Sequence, residues 1–493
     1  MTKFIIRGLF FILPAAAFIS CRKDFLQVVP IGQVVASTTS DYNLLMNSKN
    51  FYSYQSGAGW EQPMIMGDDV AAEAPYLIKY YPYQQRLFQW QDSIYQQSDP
   101  ESFDLSTELP NLYTCNKIIN EVLGSSGGTD SAKVELQAEA MAARAWLNLQ
   151  FINFYAKPYL ASTAAADPGF PIITTADVSV TTYTRASVQE VYDTIIHDFT
   201  TAIAHLPVKA VIQTRMSRPA AEGLLGRAYL YMGRYSDALT QFNAAFTDLA
   251  ASGAVSLYNY NVTFGPGGAF LPINPISGPN SPGNNYNDLT ESVLSITFTN
   301  TSSLMGEGEL GNDGLVITPQ VAALYGPTDW RLQFYSAKNS DGTPNAGGRL
   351  RKYGVSYSRC GLQLPDLYLM KAECEARLNN LTGAKADLET LRSNRMPAAD
   401  AIVPVDTLAS QAAMIQFVID ERIREYAQEG YRWWDMRRLS VDPLFNGQVF
   451  IHTLYNDDVS GSTTVYTLRQ PNRLVLKIPP TIMIANPGWT NNP

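Results

Sequence analysis

The chain has 493 residues, of which 46% are hydrophobic and 16% charged, so it is long enough for one large domain or about two to four smaller ones. Its net charge is −9, and its basic residues form no stripe beyond the cluster Arg432, Arg437 and Arg438. This argues against nucleic-acid binding, which needs many cationic side chains to neutralise phosphates. The three histidines and four cysteines lack metal-ligand spacing, which argues against a zinc site, and no cofactor is expected.

Residues 1–20 have the pattern of a secretory signal peptide. Lys3 and Arg7 form a short basic start, and the apolar run over 9–19 is shorter than the roughly 20 residues of a membrane-spanning helix. Cys21 after Ser20 is typical of a bacterial lipoprotein, in which this cysteine is lipidated, although Phe18 stands where Leu is usual. The alternative is an ordinary signal peptide with an incidental cysteine. The other three cysteines are expected to be buried thiols.

The region before the first long helix gives weaker signals. Residues 40–56 predict a helix start followed by a polar loop, and residues 67–90 predict an aromatic, loop-rich segment. Residues 108–123 have apolar residues at helical spacing, and a Gly- and Ser-rich break follows them.

Two longer helices are predicted next. The first is Ala-rich and ends before Pro158, because a residue that precedes proline disfavours helical geometry. The second begins at Ser187, where Glu190 three residues later completes a capping box, and it ends at Pro207.

Residues 218–246 have the spacing of a tetratricopeptide repeat. Small Gly226 and Ala238 allow two antiparallel helices to approach closely, with large residues beside them. A weaker copy lies at 366–395, so the repeats are interrupted by an insertion.

The insertion, about residues 250–360, is rich in Gly, Pro and Asn over 264–288. Residues 291–300 predict one strand, and 348–356 predict another short one. The expected fold is therefore mostly α, with a tetratricopeptide-like helical frame and a loop-rich insertion that carries a few short strands. Long loops on a helical frame favour a binding role for the insertion.

The stretch VIDERIREYAQEGYRWWDMRR, residues 418–438, concentrates acids, arginines and two tryptophans. Its apolar residues lie on one helical face, Glu421 and Glu425 are spaced for ion pairs with arginines, and Gly430 permits a break. A glycosidase would also use two carboxylates, but arginine-paired acids have low pKa values that do not suit a general acid. We therefore interpret the stretch as structural, with Trp433 and Trp434 anchoring the following turn.

ERIREYAQEGYRWWDMRRL resembles the C-terminal signature of the SusD/RagB family. CRKDFLQVVP, AEAMAARAWLNLQFINFYAKP and KIPPTIMIANPGWTNNP are similar, in order, to further motifs of that family, so the resemblance spans the chain. Departures are Met483, where an acid is usual, and a slightly shifted ending at Trp489 and Thr490.

The resemblance implies a cell-surface lipoprotein of the outer membrane, anchored through Cys21 and without enzymatic activity. It would capture a nutrient, usually an oligosaccharide, and deliver it to a partner TonB-dependent barrel of the SusC kind. The implied architecture is a signal peptide (1–20) and one domain (21–493), with a helical frame over about 40–250 and 360–440. Peptide capture within the same family, a general repeat scaffold that binds proteins, and a hydrolase are the alternatives.

Sugar rings would stack on exposed aromatic side chains, each of which could instead fill the core. Six residues form the expected ligand-binding set: Trp60, Tyr80, Tyr81, Tyr83, Tyr286 and Trp330. Tyr76, Tyr258 and Tyr260 are further candidates. Asp68 and Asp69 are weak candidates for a Ca²⁺ site, with a solvated or capping pair as the alternative.

Overall fold

The computed structural model describes residues 35–54, 60–80, 82–96, 105–300, 313–457 and 461–493, with the backbone alone for 78–80. The expected signal peptide, Cys21, Tyr81 and the side chain of Tyr80 lie outside the described residues. Within these ranges helices dominate and strands are short, which confirms the predicted fold class.

The helices form the frame of the molecule. In chain order they are α1 (Thr39–Met46), α2 (Glu61–Met66), α3 (Ala74–Tyr80), α4 (Pro82–Phe88), α5 (Glu108–Glu121), α6 (Asp130–Tyr155), α7 (Val188–Ile203), α8 (Arg218–Tyr231), α9 (Tyr235–Ser252), α10 (Tyr260–Thr263), α11 (Pro319–Ala322), α12 (Leu364–Arg377), α13 (Leu381–Ser393), α14 (Gln411–Tyr426), α15 (Tyr431–Leu439) and α16 (Pro480–Ala485). The long helices α5 to α9 pack each on the next, and α12 packs on α9, α13 and α14.

The helix boundaries follow local chemistry. Ser187 caps α7, its side chain accepting from the Glu190 amide while the Glu190 carboxylate accepts from the Ser187 amide at 2.8 Å, as the sequence predicts. Ser217 caps α8, and Pro219 occupies the first turn, where a missing N–H costs nothing. Gly253 ends α9 with a φ of 56°, a left-handed conformation that suits glycine.

The two repeat-like hairpins, α8–α9 and α12–α13, adjoin in space although an insertion separates them in sequence. Gly226 of α8 lies directly against the ring of Phe242 of α9, so closely that a Cβ at this position would overlap the ring. Ala372 of α12 and Ala384 of α13 are fully buried in the corresponding hairpin. Small residues thus bring each pair of helices together, as the repeat pattern predicts.

The strands are β1 (Ser53–Tyr54), β2 (Val70–Glu73), β3 (Ser292–Leu294), β4 (Thr297–Thr299), β5 (Leu315–Ile317), β6 (Tyr335–Ser336), β7 (Arg351–Lys352), β8 (Tyr357–Arg359), β9 (Leu362–Gln363), β10 (Ile451–Tyr455) and β11 (Thr463–Thr467). They form small sheets of order β1-β4-β8, β11-β10-β2-β5, β3-β9 and β6-β7. The first two sheets join strands that are far apart in sequence. They therefore tie the insertion to the N-terminal region.

Two local predictions were wrong. Residues 67–90 are not mainly loop: they form β2, α3 and α4, because Leu77, Leu87 and Phe88 are fully buried against the frame. Residues 291–300 form two strands rather than one: β3 pairs with β9, and β4 pairs with β1 and β8. Between them, the Ser295 amide donates to the Gln213 carbonyl at 2.8 Å instead of to a strand.

The core runs continuously through the helical frame and reaches under the sheets. Trp433 is fully buried, and Phe199 and Phe242 fill the space between neighbouring helices. Cys115, Cys360 and Cys374 are buried free thiols, as expected.

Candidate functional site

The charged stretch over 418–438 forms the end of α14 and the start of α15, with Gly430 between them at a φ of 93°. Glu421 is fully buried and accepts from Arg331 and Arg424 at 2.7 Å each and from Arg392 at 2.6 Å. Burial alone would raise the pKa of Glu421, but these three arginines outweigh it and hold the pKa well below its usual range.

A second set of buried ion pairs continues this network. Arg422 donates to Asp366 at 2.7 Å and to Asp435 at 2.9 Å, and Arg438 donates to Glu373 at 2.6 Å. All of these side chains are less than a tenth exposed, and the partners lie on α12, α14 and α15. The stretch therefore holds three helices together, in agreement with a structural role. We call these buried pairs, with Glu421 and its arginines, the charge network.

A cleft of about 920 Å³, partly open to solvent, lies beside the charge network. One wall is the C-terminal turn of α14, and the other is the insertion, including β6, β7 and β8. Six aromatic side chains line it: Tyr258, Tyr260, Phe334, Tyr335, Tyr357 and Tyr426. We call it the interface cleft. Its mixture of aromatic side chains and a few polar groups is typical of small-ligand sites.

The aromatic walls are held in place by polar contacts. The Tyr258 hydroxyl donates to Asp288 at 2.5 Å, and the Tyr335 hydroxyl donates to the Ala427 carbonyl at 3.1 Å. Tyr357 is half-buried, and its ring meets the edge of Tyr286 at a centroid distance of 5.4 Å. Tyr426 stacks on Tyr431 at 4.1 Å. The rings are thus fixed before any ligand arrives.

Two buried neutral groups of the cleft have no hydrogen-bond partner among the described residues. They are the hydroxyl of Tyr426, which is 6% exposed, and the amide nitrogen of Gln363, which is 7% exposed. An unsatisfied buried polar group costs about 1–3 kcal/mol, so such groups are normally satisfied by protein, water or ligand.

The expected ligand-binding residues that the structure describes with their side chains, Trp60, Tyr83, Tyr286 and Trp330, do not all line the interface cleft. Trp60 is 5% exposed and packs against Tyr431 and Trp434 in the core. Trp330 donates from its indole to Asn261 at 3.0 Å and stacks on Phe264.

Three further aromatic candidates are partly exposed. Tyr83 stacks on Tyr95 away from the interface cleft, and Tyr76 lies on α3. Tyr286 borders the cleft through Tyr357. Tyr258 and Tyr260 line it directly.

Among the cleft residues that were not singled out as ligand contacts from the sequence are Tyr335, Tyr357, Gln363 and Tyr426. Tyr335, Tyr357 and Gln363 belong to strands of two or three residues, which are too short to show a period. Tyr426 was assigned to the apolar face of α14, and its ring is indeed buried. Its unsatisfied hydroxyl is visible only in three dimensions.

Asp68 and Asp69 have protein partners. Asp68 forms an ion pair with Arg432, and Asp69 accepts from the Gln428 amide at 2.7 Å. Burial raises the pKa of Asp69 to about 6, although the Gln428 amide opposes the shift. Over the described ranges, no three His, Cys, Asp or Glu side chains are grouped so that they could hold a metal ion.

Searches against protein families and solved structures place the chain among known folds. A family model described as starch-binding and associating with the outer membrane matches residues 80–230, and the SusD family model matches residues 333–493. Together the two models span more than half of the chain. No described helix is long and apolar enough to cross a membrane.

Similar solved structures cover nearly the whole chain. A SusD superfamily protein from Bacteroides thetaiotaomicron is 18% identical, with a TM-score of 0.67 over 92% of this chain and 100% of that one. A SusD-like carbohydrate-binding protein from Bacteroides vulgatus is 16% identical, with a TM-score of 0.64 over 92% and 98%. A laminarin-binding SusD-like protein is 17% identical, with a TM-score of 0.61 over 93% and 100%. A search of curated protein sequences found no match.

Proposed function

Because the chain belongs to the SusD/RagB family, we propose that it is a cell-surface lipoprotein that captures an oligosaccharide in the interface cleft. One observation supports this position for the ligand site. The cleft combines aromatic walls held by polar contacts with two buried neutral groups that lack a partner among the described residues. Aromatic faces suit the apolar C–H side of a pyranose, and sugar hydroxyls can satisfy both neutral groups.

The family resemblance supports the rest of the role. The lipid on Cys21 would hold the protein at the outer membrane, and the ligand would pass to a partner TonB-dependent barrel of the SusC kind. Binding of laminarin by one structural relative and the starch-binding description of one family model favour a glycan over a peptide. Glu425, the carboxylate nearest in sequence to Tyr426, is ion-paired with Arg331 and Arg395, which favours binding without hydrolysis.

Calorimetry tests the binding proposal. The chain from residue 22 onward is titrated with plant, algal and host oligosaccharides and with short peptides. Tyr357→Ala removes a half-buried ring from the cleft, and we expect it to weaken glycan binding at least about tenfold, or about 1.4 kcal/mol. Tyr113→Ala is the matched control, because Tyr113 is 39% exposed on α5 and does not line the cleft.

The outcomes separate the alternatives. A peptide that binds in place of glycans would keep the capture role and change the nutrient. Release of shortened sugars by the purified protein would favour a hydrolase. Equal binding by Tyr357→Ala and the wild type would contradict the location. Binding of neither glycans nor peptides would favour the repeat-scaffold alternative.

The anchor and the partner are tested in cells. Labelling with a fatty-acid analogue should mark the full-length protein, and Cys21→Ser should remove the label and release the protein from the membrane fraction. Co-purification with a TonB-dependent barrel encoded by a neighbouring gene would support delivery. A labelled Cys21→Ser variant would contradict the proposed anchor.

A further inference from the structure

The interface cleft contains equal numbers of acidic and basic side chains, and each of them already has a hydrogen-bonding or ionic partner. Four carboxylates and four basic groups line it. Glu425 accepts from Arg331 at 3.0 Å and from Arg395 at 2.9 Å, and Lys352 pairs with Glu429.

The remaining charged groups are also occupied. Glu291 accepts from Arg395 at 2.9 Å, and Asp288 accepts from the Tyr258 hydroxyl. Arg424 donates to Glu421, and Arg359 donates to the backbone carbonyl of Asn285, each at 2.7 Å. A charged ligand group would therefore have to displace an existing hydrogen bond or ion pair, or lie unpaired beside groups of both signs. Both arrangements are costly in a partly desolvated site.

The groups that remain without a partner are neutral. Burial, with Asp366 and Glu425 nearby, raises the pKa of Tyr426 well above its ordinary value, so its hydroxyl stays protonated. The Gln363 side-chain oxygen accepts from Ser292 at 3.2 Å, which leaves its NH₂ as a donor. A hydroxyl group can accept from the amide and can either donate to or accept from the phenol.

From these contacts, and resting on the proposed function, we propose that the interface cleft selects neutral glycans over uronic-acid and sulfated ones. Tyr426 and Gln363 form hydrogen bonds with hydroxyl groups of the ligand. The charged residues of the cleft shape its walls and exclude charged sugars.

A matched pair of ligands tests the selectivity. A neutral glucan oligosaccharide is compared, at equal chain length, with the same oligosaccharide after oxidation of its primary hydroxyls to carboxylates. We expect the oxidised form to bind at least about tenfold more weakly at neutral pH.

Two variants test the assigned contacts. Tyr426→Phe and Gln363→Met should each weaken binding of the neutral glycan about tenfold, whereas Tyr113→Phe should leave it unchanged. Tyr426→Phe should also leave the melting temperature of the unliganded protein unchanged or raise it, because it removes an unsatisfied hydroxyl. A hydroxyl with only a structural role would give the opposite result, with lower stability and unchanged binding.

Each outcome supports or overturns the inference. Weaker binding of the oxidised glycan together with the loss in Tyr426→Phe supports it. Equal or tighter binding of the oxidised glycan overturns the selectivity but leaves glycan capture intact. Neutral glycan binding that is unchanged in both Tyr426→Phe and Gln363→Met overturns the contacts. Failure of every glycan to bind overturns the inference together with the proposed function.

Discussion

The charge network and the interface cleft meet at the C-terminal end of α14, yet they use polar groups in opposite ways. In the network, Glu421, Arg422 and Asp435 are almost fully buried, and each has at least two charged partners. In the cleft, Tyr426 and Gln363 are nearly as buried, but each keeps a neutral group without a partner among the described residues.

This difference separates stability from recognition. A buried charge without a partner is costly, and the charged groups of the network are each paired within the fold. A neutral donor is cheaper to leave unsatisfied and can be completed by a ligand. Changes in the network should therefore affect folding, and changes to the cleft's neutral groups should affect binding.

The largest effect is expected from Glu421→Gln. This change removes the charge that Arg331, Arg392 and Arg424 share, and it should lower the free energy of unfolding by about 3–5 kcal/mol, measured by urea denaturation at pH 7. The folded pKa of Glu421 lies below its unfolded value near 4.5, so this contribution is present above that pH and is lost on acidification.

Asp237→Asn is the control for this experiment. Asp237 pairs with Arg234 on α9, and both side chains are more than two-fifths exposed, so the loss should be below about 1 kcal/mol. If Glu421→Gln were no more destabilising than Asp237→Asn, the charge network would not hold the helices together as described.

A smaller effect is expected from Gly226→Ala in the helical frame. The added Cβ would overlap the ring of Phe242 and force α8 and α9 apart, which should cost about 1–3 kcal/mol in urea denaturation. Gly124→Ala is the control, because no atom lies within 4 Å of its Cβ position. Equal stability of the two variants would contradict close approach of the helices at Gly226.

The smallest effect on the free energy of unfolding is expected from Glu222→Gln. Glu222 differs from the acids of the charge network because it is buried without a full set of partners. Glu222 is 6% exposed, and one of its carboxylate oxygens has no hydrogen-bond partner in the described structure. Burial, with Asp248 nearby, raises its pKa to about 7. Because the folded pKa lies above the unfolded value of 4.5, this carboxyl stabilises the fold at low pH and loses that contribution as the pH rises through about 7.

Denaturation at pH 5 and pH 8 measures this effect. Glu222→Gln should match the wild type at pH 5 and be more stable by about 1–2 kcal/mol at pH 8, because glutamine stays neutral where the wild-type carboxyl ionises. Glu135→Gln, at an exposed position on α6, should show no such difference. A variant advantage that is equal at both pH values would contradict the raised pKa.

The sequence predicts the frame well because its signals are local. The capping box at Ser187 and Glu190 and the small residues at Gly226 and Ala238 report on neighbours a few residues away. The strands of the insertion are harder to predict, because their partners are distant in sequence. β4 pairs with β1, which lies near the N-terminus, and β2 pairs with both β5 and β10. Such partners leave no periodic signal in either segment.

The candidate site leaves a weaker signal in the sequence for a related reason. Nothing local distinguishes Trp330, whose indole is bound to Asn261, from Tyr357, whose half-buried ring faces the cleft. An aromatic side chain can fill the hydrophobic core or stack on a ligand, and tertiary packing decides which of the two it does. The same holds for Tyr426, whose ring belongs to the apolar face of α14 although the residue lines the cleft and its hydroxyl has no partner among the described residues.

Hydrogen–deuterium exchange with and without a saturating oligosaccharide shows where the ligand binds. If it binds in the interface cleft, we expect slower exchange at backbone amides over 281–292, 352–359 and 424–430, with the helical hairpin α8–α9 unchanged. Protection confined to the aromatic segment over 74–83, with the cleft segments unaffected, would contradict it and move the site to the N-terminal region.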